Sequence, residues 1–288
     1  MYIRFIHHFL LPVILSFTGL SSPAQDTADL YSGAKGSLIC WTETRTSPRP
    51  LKIHCLRVDL TCPELEVFSM PGDDPDGNGP AESQLTLPVD LFTGSRALAA
   101  INANAFAGLP GTENDIRGWY KNRPVNIAGL VVTNGRVVSP VQKGRTAFWI
   151  DKNNHPRIGD PKPGDVVWQG VSDWQTLLIL DNRLIPDSTV YTLHPRSALG
   201  FDGSGRWLLL VVVDGRQTGF SEGMSLYELA ELFRSKGCTG SINLDGGGSS
   251  IMLIHGPDGQ VRTVNSPSGI RQRPVPVMLG IRKTKPAD

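Results

Sequence analysis

The chain has no Cys-x-x-Cys pair and no His-x-x-x-His spacing, so neither a thiolate zinc knuckle nor a helical histidine metal site is written into it. It has no Gly-x-x-x-x-Gly-Lys-Ser/Thr run, which excludes a Walker-type phosphate loop. It also lacks a charge bias. The 28 Lys and Arg against 27 Asp and Glu leave a net charge of +1, which favours neither nucleic acid nor an anionic membrane as a bulk partner. Beyond residue 24 no apolar run is long enough to cross a bilayer. No repeat of fixed period, low-complexity tract or dividing linker interrupts the rest.

What is present fits a turn-rich, strand-rich protein. The 288 residues are 40% hydrophobic, enough for a sizeable core, and include 31 Gly and 22 Pro. The first residues read as an export signal. A mildly basic start precedes the short apolar run "FLLPVILSFTGL", and Ser22 and Ala24 in "SSPAQ" have the small-residue spacing of a cleavage site. A membrane anchor is the rival reading. Residues 1–24 are therefore expected to be removed, leaving a mature chain that starts near Gln25, lacks a membrane span and works in the periplasm or outside the cell. No cysteine near the cut suits a lipid anchor. Export permits disulfides, and Cys55 and Cys62 could close a small loop, but free buried thiols at these positions and at Cys40 and Cys238 fit the sequence equally.

Residues 25–49 are expected to be a loose N-terminal segment, and 50–284 one compact catalytic domain. "LKIHCLRVDL" (51–60) alternates like a half-buried strand, and "LEVFSM" reads as a second. "PGDDPDGNGP" (71–80) is a solvated loop; its acidic residues lack the glutamate that closes an EF-hand. "GLVVTNGRVVS" (129–139) sets Asn-Gly between two apolar runs, a hairpin. "RWLLLVVVDGR" (206–216) is a continuous apolar strand, the mark of burial on both faces. "SLYELAELFRSKG" (225–237) is a helix with a Ser225/Glu228 capping box and Gly237 at its end. "TGSINLD" is the next strand, then "GGGSS", then a strand in "SSIMLIHG". The fold class expected is mixed α/β (α+β), with a mixed sheet and a strand–helix–strand unit carrying the site.

That unit explains the glycines. A helical crossover usually joins neighbouring parallel strands. Asp214 and Asp245 would then emerge side by side at one sheet edge, where open α/β sheets hold ligands. Gly246, Gly247 and Gly248 would turn at its rim with backbone N–H groups facing an anion. Ser249 and Ser250 add hydroxyls, and "DGRQTGFSEG" adds Arg216 and Ser221. Paired carboxylates suit acid–base or nucleophilic work on a glycosidic bond, and arginine suits phosphate. Plain strand-end turn chemistry is the bland reading of one Asp-Gly pair; two at matched strand ends weigh against it.

"NLDGGGSS" after "VVVDGRQTGFSEGMSLYELAELFRSKG" closely resembles the phosphodiester glycosidase family. "INANAF" is similar to its Asn-rich stretch, with Ala105 where an aromatic is usual, and "GLVVTNGRVVS" to its hairpin. "HPRSALGFD" resembles its Arg-Thr-Ala segment, with Ser197 for Thr. "VNSPSGIRQRPVPVMLGI" resembles its closing segment, where Arg273 fits and Ser266 departs. The resemblance spans roughly 50–282 and implies a hydrolase that cleaves a sugar-1-phosphodiester on the sugar side, with no cofactor. It implies phosphate neutralisation by Arg196, Arg216 or Arg273, catalysis by Asp245 and Asp214 in unassigned roles, and sugar hydroxyls gripped by Asn102, Asn104 and Asn243. Each asparagine reads equally as a strand-end cap. His194 lies near this site by the resemblance; His54, His155 and His255 are scattered without metal spacing, and no metal ligand set is identified. Two rivals remain: a glycoside hydrolase on a substrate without phosphate, and a non-catalytic polysaccharide-binding protein. The sequence does not indicate an oligomeric state.

Overall fold

The computed structural model describes residues 27–112, 115–172, 174, 176–256 and 258–284. The expected export signal, 1–24, lies outside the described residues. Strands dominate, with two α-helices against twenty-one strands among the described residues. The largest sheet has eight strands, in the order β1 (Thr27–Asp29), β2 (Leu38–Arg45), β3 (Leu51–Asp59), β17 (Trp207–Val213), β16 (Arg196–Asp202), β18 (Cys238–Asn243), β14 (Leu177–Leu180) and β15 (Arg183–Leu184). A second sheet runs β20 (Val261–Thr263), β19 (Met252–His255), β6 (Ala99–Asn102), β21 (Val277–Lys283) and β4 (Leu65–Pro71). A third runs β10 (Arg136–Ser139), β9 (Val131–Thr133), β13 (Gln169–Ser172), β11 (Ala147–Ile150) and β12 (Pro156–Ile158). A small sheet holds β5 (Ser83–Gln84), β8 (Pro124–Ile127) and β7 (Phe106–Gly108).

The apolar run of β17 explains the layering. Leu208, Leu210 and Val212 face a central core shared with Ile101 and Leu279 of the second sheet and Phe148 and Val171 of the third. Leu209, Val211 and Val213 point the other way, against Leu229, Ala230 and Phe233 of α2 (Leu226–Ser235). A continuous apolar run is needed because both faces are covered. On the far side of the second sheet, Phe92 of α1 (Pro88–Ser95) packs against Phe68, Met70 and Met278.

Local signals hold where they were strongest. The capping box of α2 is made in both directions by Ser225 and Glu228, and Gly237 follows the helix with φ 85°. The β9–β10 hairpin turns at Asn134 (φ 50°) and Gly135 (φ 77°), both left-handed, as a type I′ turn demands.

Three expectations need correction. The fold is far richer in strand than a balanced α/β mix, and every strand pairing among the described residues is antiparallel, so the sheet is not mixed. β17 and β18, joined through α2, do run parallel, but they are not neighbours. β16 lies between them and pairs antiparallel with both. The segment 25–49 is not loose where it is described: β1 and β2 extend the largest sheet, with β2 paired to β3 along its whole length. The four cysteines are buried and free; burial pushes the Cys40 thiol up to about 11 and that of Cys238 to about 12.

Candidate active site

The β16 insertion decides the site's geometry. Asp214 follows β17 and Asp245 follows β18, so both lie at the same end of the sheet, two strand spacings or about 10 Å apart. The expectation of adjacent strand ends is corrected by that one strand.

The two carboxylates have opposite surroundings. Asp214 is 1% exposed. Its oxygens accept from His54 Nε2 at 3.0 Å, Asn265 Nδ2 at 3.1 Å and the Ser266 backbone N–H at 2.9 and 3.1 Å. Thr42 Oγ1 lies 2.9 Å from His54 Nδ1 and completes a line across β2, β3 and β17. Asp214 therefore clamps the 264–266 segment onto the large sheet. Asp245 has no such set. Burial pushes its carboxyl from 3.8 up to about 6, against the pull of Ser249, Arg273 and the Gly246 N–H toward the anion. Ser249 Oγ sits near enough to favour the anion, yet makes no hydrogen bond of normal geometry.

The glycines serve close approach. A Cβ on Gly246 would stand 2.7 Å from Pro195 O, and one on Gly248 would stand 2.8 Å from Arg273 Nη2. Gly247 has φ +61°, with the Arg216 guanidinium lying over it. The two arginines thus bracket the turn beside Asp245. Of the three glycine N–H groups expected to face an anion, that of Gly247 goes to Pro195 O and that of Gly246 to the Asp245 carboxylate, while Ser249 and Ser250 N–H close the turn onto Gly246 O and Gly247 O.

Several residues expected on substrate are instead committed to the frame. Asn102 donates to Asp245 O at 2.6 Å and accepts from Ser197 Oγ and Ile251 N. Asn104 donates to Ala128 O and Leu130 O and accepts from Ser172 N. Ser221, fully buried, donates to Asp214 O at 2.6 Å and accepts from Lys52 N. Asn243 differs, because its buried Oδ1 has no donor. Arg196 donates to Met224 O at 2.9 Å and Thr192 O at 3.0 Å, and burial with the nearby Arg216 charge lowers its pKa to about 10. Sequence reasoning missed His54, Asn265 and the Ser266 backbone. It also missed Arg49, which bonds Gly223 O, Tyr191 Oη and Glu228. His54 sits 160 positions from Asp214, and no local pattern signals that contact. Among the described residues no three His, Cys, Asp or Glu side chains cluster as metal ligands.

Comparison with known proteins places this architecture. A family model described as phosphodiester glycosidase matches residues 95–282. A prophage-derived uncharacterized protein of Bacillus subtilis is 43% identical over 139 residues, 48% of this chain and 17% of that protein. The mouse N-acetylglucosamine-1-phosphodiester alpha-N-acetylglucosaminidase is 37% identical over 67 residues, 23% of this chain and 12% of that one. The chain thus spans well under two thirds of the curated relatives it matches. Among solved structures, the auto-inhibited catalytic domain of the zebrafish N-acetylglucosamine-1-phosphodiester alpha-N-acetylglucosaminidase superposes with a TM-score of 0.60 at 21% identity, over 91% of this chain and 88% of that one. A hypothetical protein of Synechocystis gives 0.63 at 14% identity, over 91% and 64%. These two likenesses carry the fold.

Proposed function

This chain belongs to the phosphodiester glycosidase family, and on that premise we propose that it hydrolyses the glycosidic bond of a sugar-1-phosphodiester, in a polysaccharide or glycoconjugate outside the cytosol. The observation that carries the reading is the setting of Asp245: a partly exposed carboxylate, raised to about 6, beside a turn bracketed by Arg216 and Arg273.

The chemistry follows from that frame. The bond that breaks joins the anomeric carbon to the phosphate oxygen. The leaving group is a phosphate monoester, whose second pKa near 6 means it departs with little need of a proton. It needs countercharge, which Arg216 and Arg273 supply. Ionised Asp245 takes a proton from the water that attacks the anomeric carbon. The products are the free sugar and the monoester. One carboxylate suffices, so Asp214, saturated by His54, Asn265 and Ser266, acts as a positioning residue rather than the second catalytic acid. Asn243 keeps an acceptor without a donor, but that Oδ1 is buried, so no sugar hydroxyl is assigned to it. The export reading rests on the N-terminal signature in "FLLPVILSFTGLSSPAQ".

A panel of sugar-1-phosphodiesters and matched neutral aryl glycosides, offered to the purified protein, tests the proposal. Turnover confined to the phosphodiesters, lost in Asp245→Asn, is expected. Turnover of the neutral glycosides alone would transfer the site to plain glycoside hydrolysis. Binding of polysaccharide with no turnover would make it a binding module.

A further inference from the structure

A cavity of about 390 Å3 opens beside the first turn of α2, a size that suits a small ligand group. Arg196, His194, Thr176, Val190, Leu226 and Asp187 line it. It joins the rim of the candidate site, because Arg216, which lies over Gly247, reaches 3.2 Å from His194 Nδ1.

We propose that this cavity is an anion subsite that receives a phosphate or carboxylate carried by the aglycone, the part of the substrate beyond the scissile phosphate. The assignment of that anion to the aglycone rests on the function proposed above; the affinity of the cavity for an anion does not.

Three observations lead there. Arg196 is a buried cation, 9% exposed, whose bonds go to the neutral carbonyls of Met224 and Thr192. Among the described residues no carboxylate reaches it at ion-pair distance. A buried charge without a partner is costly, and an anion in the cavity would offset it. His194 lines the same cavity, and its tautomer is set by Arg216. An arginine only donates, so the Nδ1 facing Arg216 presents its lone pair and the ring proton sits on Nε2. Burial and the charges of Arg196 and Arg216 lower the ring's pKa, disfavouring its protonated form. Of the acidic groups nearby, Glu228 is paired with Arg49, whereas Asp187 is exposed and unpaired with any cation among the described residues. Asp187 accepts from Thr189 N and Oγ1, and Glu228 from Arg49 and Ser225 N. The cavity therefore sets the buried Arg196 charge against a single lining carboxylate, Asp187, which is exposed and screened by solvent, while Val190 and Leu226 give apolar wall for the aglycone's carbon skeleton.

The test has a binding arm and a kinetic arm. Inorganic phosphate is titrated calorimetrically into the full chain carrying Arg216→Gln and Arg273→Ala, which removes the cations beside Asp245. Saturable binding is expected to persist, and to weaken at least 10-fold when Val190→Glu places a carboxylate at the mouth. Val190 is 55% exposed, so that change leaves the core alone. No saturable binding in the double variant, or binding indifferent to Val190→Glu, overturns the subsite. In the kinetic arm a diester with an ethyl aglycone is compared with one ending in a phosphate. The wild type is expected to favour the phosphorylated aglycone at least 10-fold in kcat/KM, through KM, and Val190→Glu to erase most of that preference. Phosphate binding without any preference would make this a free-anion site and overturn the aglycone assignment. If neither diester is cleaved, the proposed reaction fails while the titration still decides the subsite.

Discussion

Replacing Asp245 by Asn should make the protein more stable and inactive at once. Burial holds the Asp245 carboxyl near 6 instead of 3.8, about two units up. Each unit is worth 1.36 kcal/mol, so keeping this group ionised in the native state costs about 3 kcal/mol at neutral pH. The sign follows from proton binding. Between pH ~4 and ~6 the native state holds the proton more tightly than the unfolded chain, so stability falls as pH rises through that window. Below it both states are protonated and the cost vanishes. Asn keeps the shape and cannot ionise. At pH 7.5 the variant should gain about 2–3 kcal/mol, or about 4–10 °C in Tm for a chain of this size; at pH 4 the gain should shrink to near zero. Turnover of a phosphodiester should drop at least ~10²–10⁴-fold. Thermal melts of both proteins at pH 4 and 7.5, with parallel rates, measure all of this. A variant less stable than wild type at pH 7.5, or a gain equal at both pH values, refutes the argument that Asp245 is a desolvated carboxylate.

The wild-type rate at subsaturating substrate should rise with pH through about 6, because the base must be ionised; a rate that falls across that window would make Asp245 an acid instead. Arg273→Ala or Arg216→Ala should lower kcat on phosphodiesters about 10²-fold, as loss of an oxyanion donor does, and leave neutral glycosides far less affected; equal losses on both would sink phosphate recognition there. Asp214→Asn should destabilise by about 3–5 kcal/mol in urea unfolding, because donors from His54, Asn265 and Ser266 would face an amide instead of an anion; near-neutral stability would show that the clamp is dispensable. Gly246→Ala should cost about 1–3 kcal/mol, since its Cβ would stand 2.7 Å from Pro195 O; an unperturbed melt would contradict that packing.

Local chemistry was readable in the sequence, and pairing was not. Ser225 and Glu228 lie three positions apart, so their capping box follows from spacing alone, as does the turn at Asn134-Gly135. The strand 206–214 betrayed two covered faces through its unbroken apolar run. What no local pattern carried was β16. "RSALGFD" alternates weakly and was notable only by resemblance, yet as a strand it separates β17 from β18 and moves the two aspartates apart. The same holds at the site. Asp245 and its glycines stood out by composition, whereas the clamp on Asp214 depends on His54 and Asn265, brought in from strands and turns far along the chain. Asn102 and Asn104 show the limit of residue type as evidence: an asparagine suits a sugar hydroxyl and a backbone carbonyl equally, and here carbonyls took both side chains.

The place of β21 bears on how the molecule is assembled in time. It lies inside its sheet, between β6 and β4. The Arg282–Glu66 ion pair across it joins residues 216 positions apart. While the ribosome is still adding residues, β4 and β6 have an empty slot between them, and no part of the chain already made can fill it. Pairings this distant form slowly, because the intervening loop must close before any bond rewards it. The nascent chain therefore carries unpaired strand edges until residue 283 emerges, and the second sheet can close only after that. A stop codon placed a few residues before β21 would leave an open, aggregation-prone sheet rather than a slightly shortened enzyme.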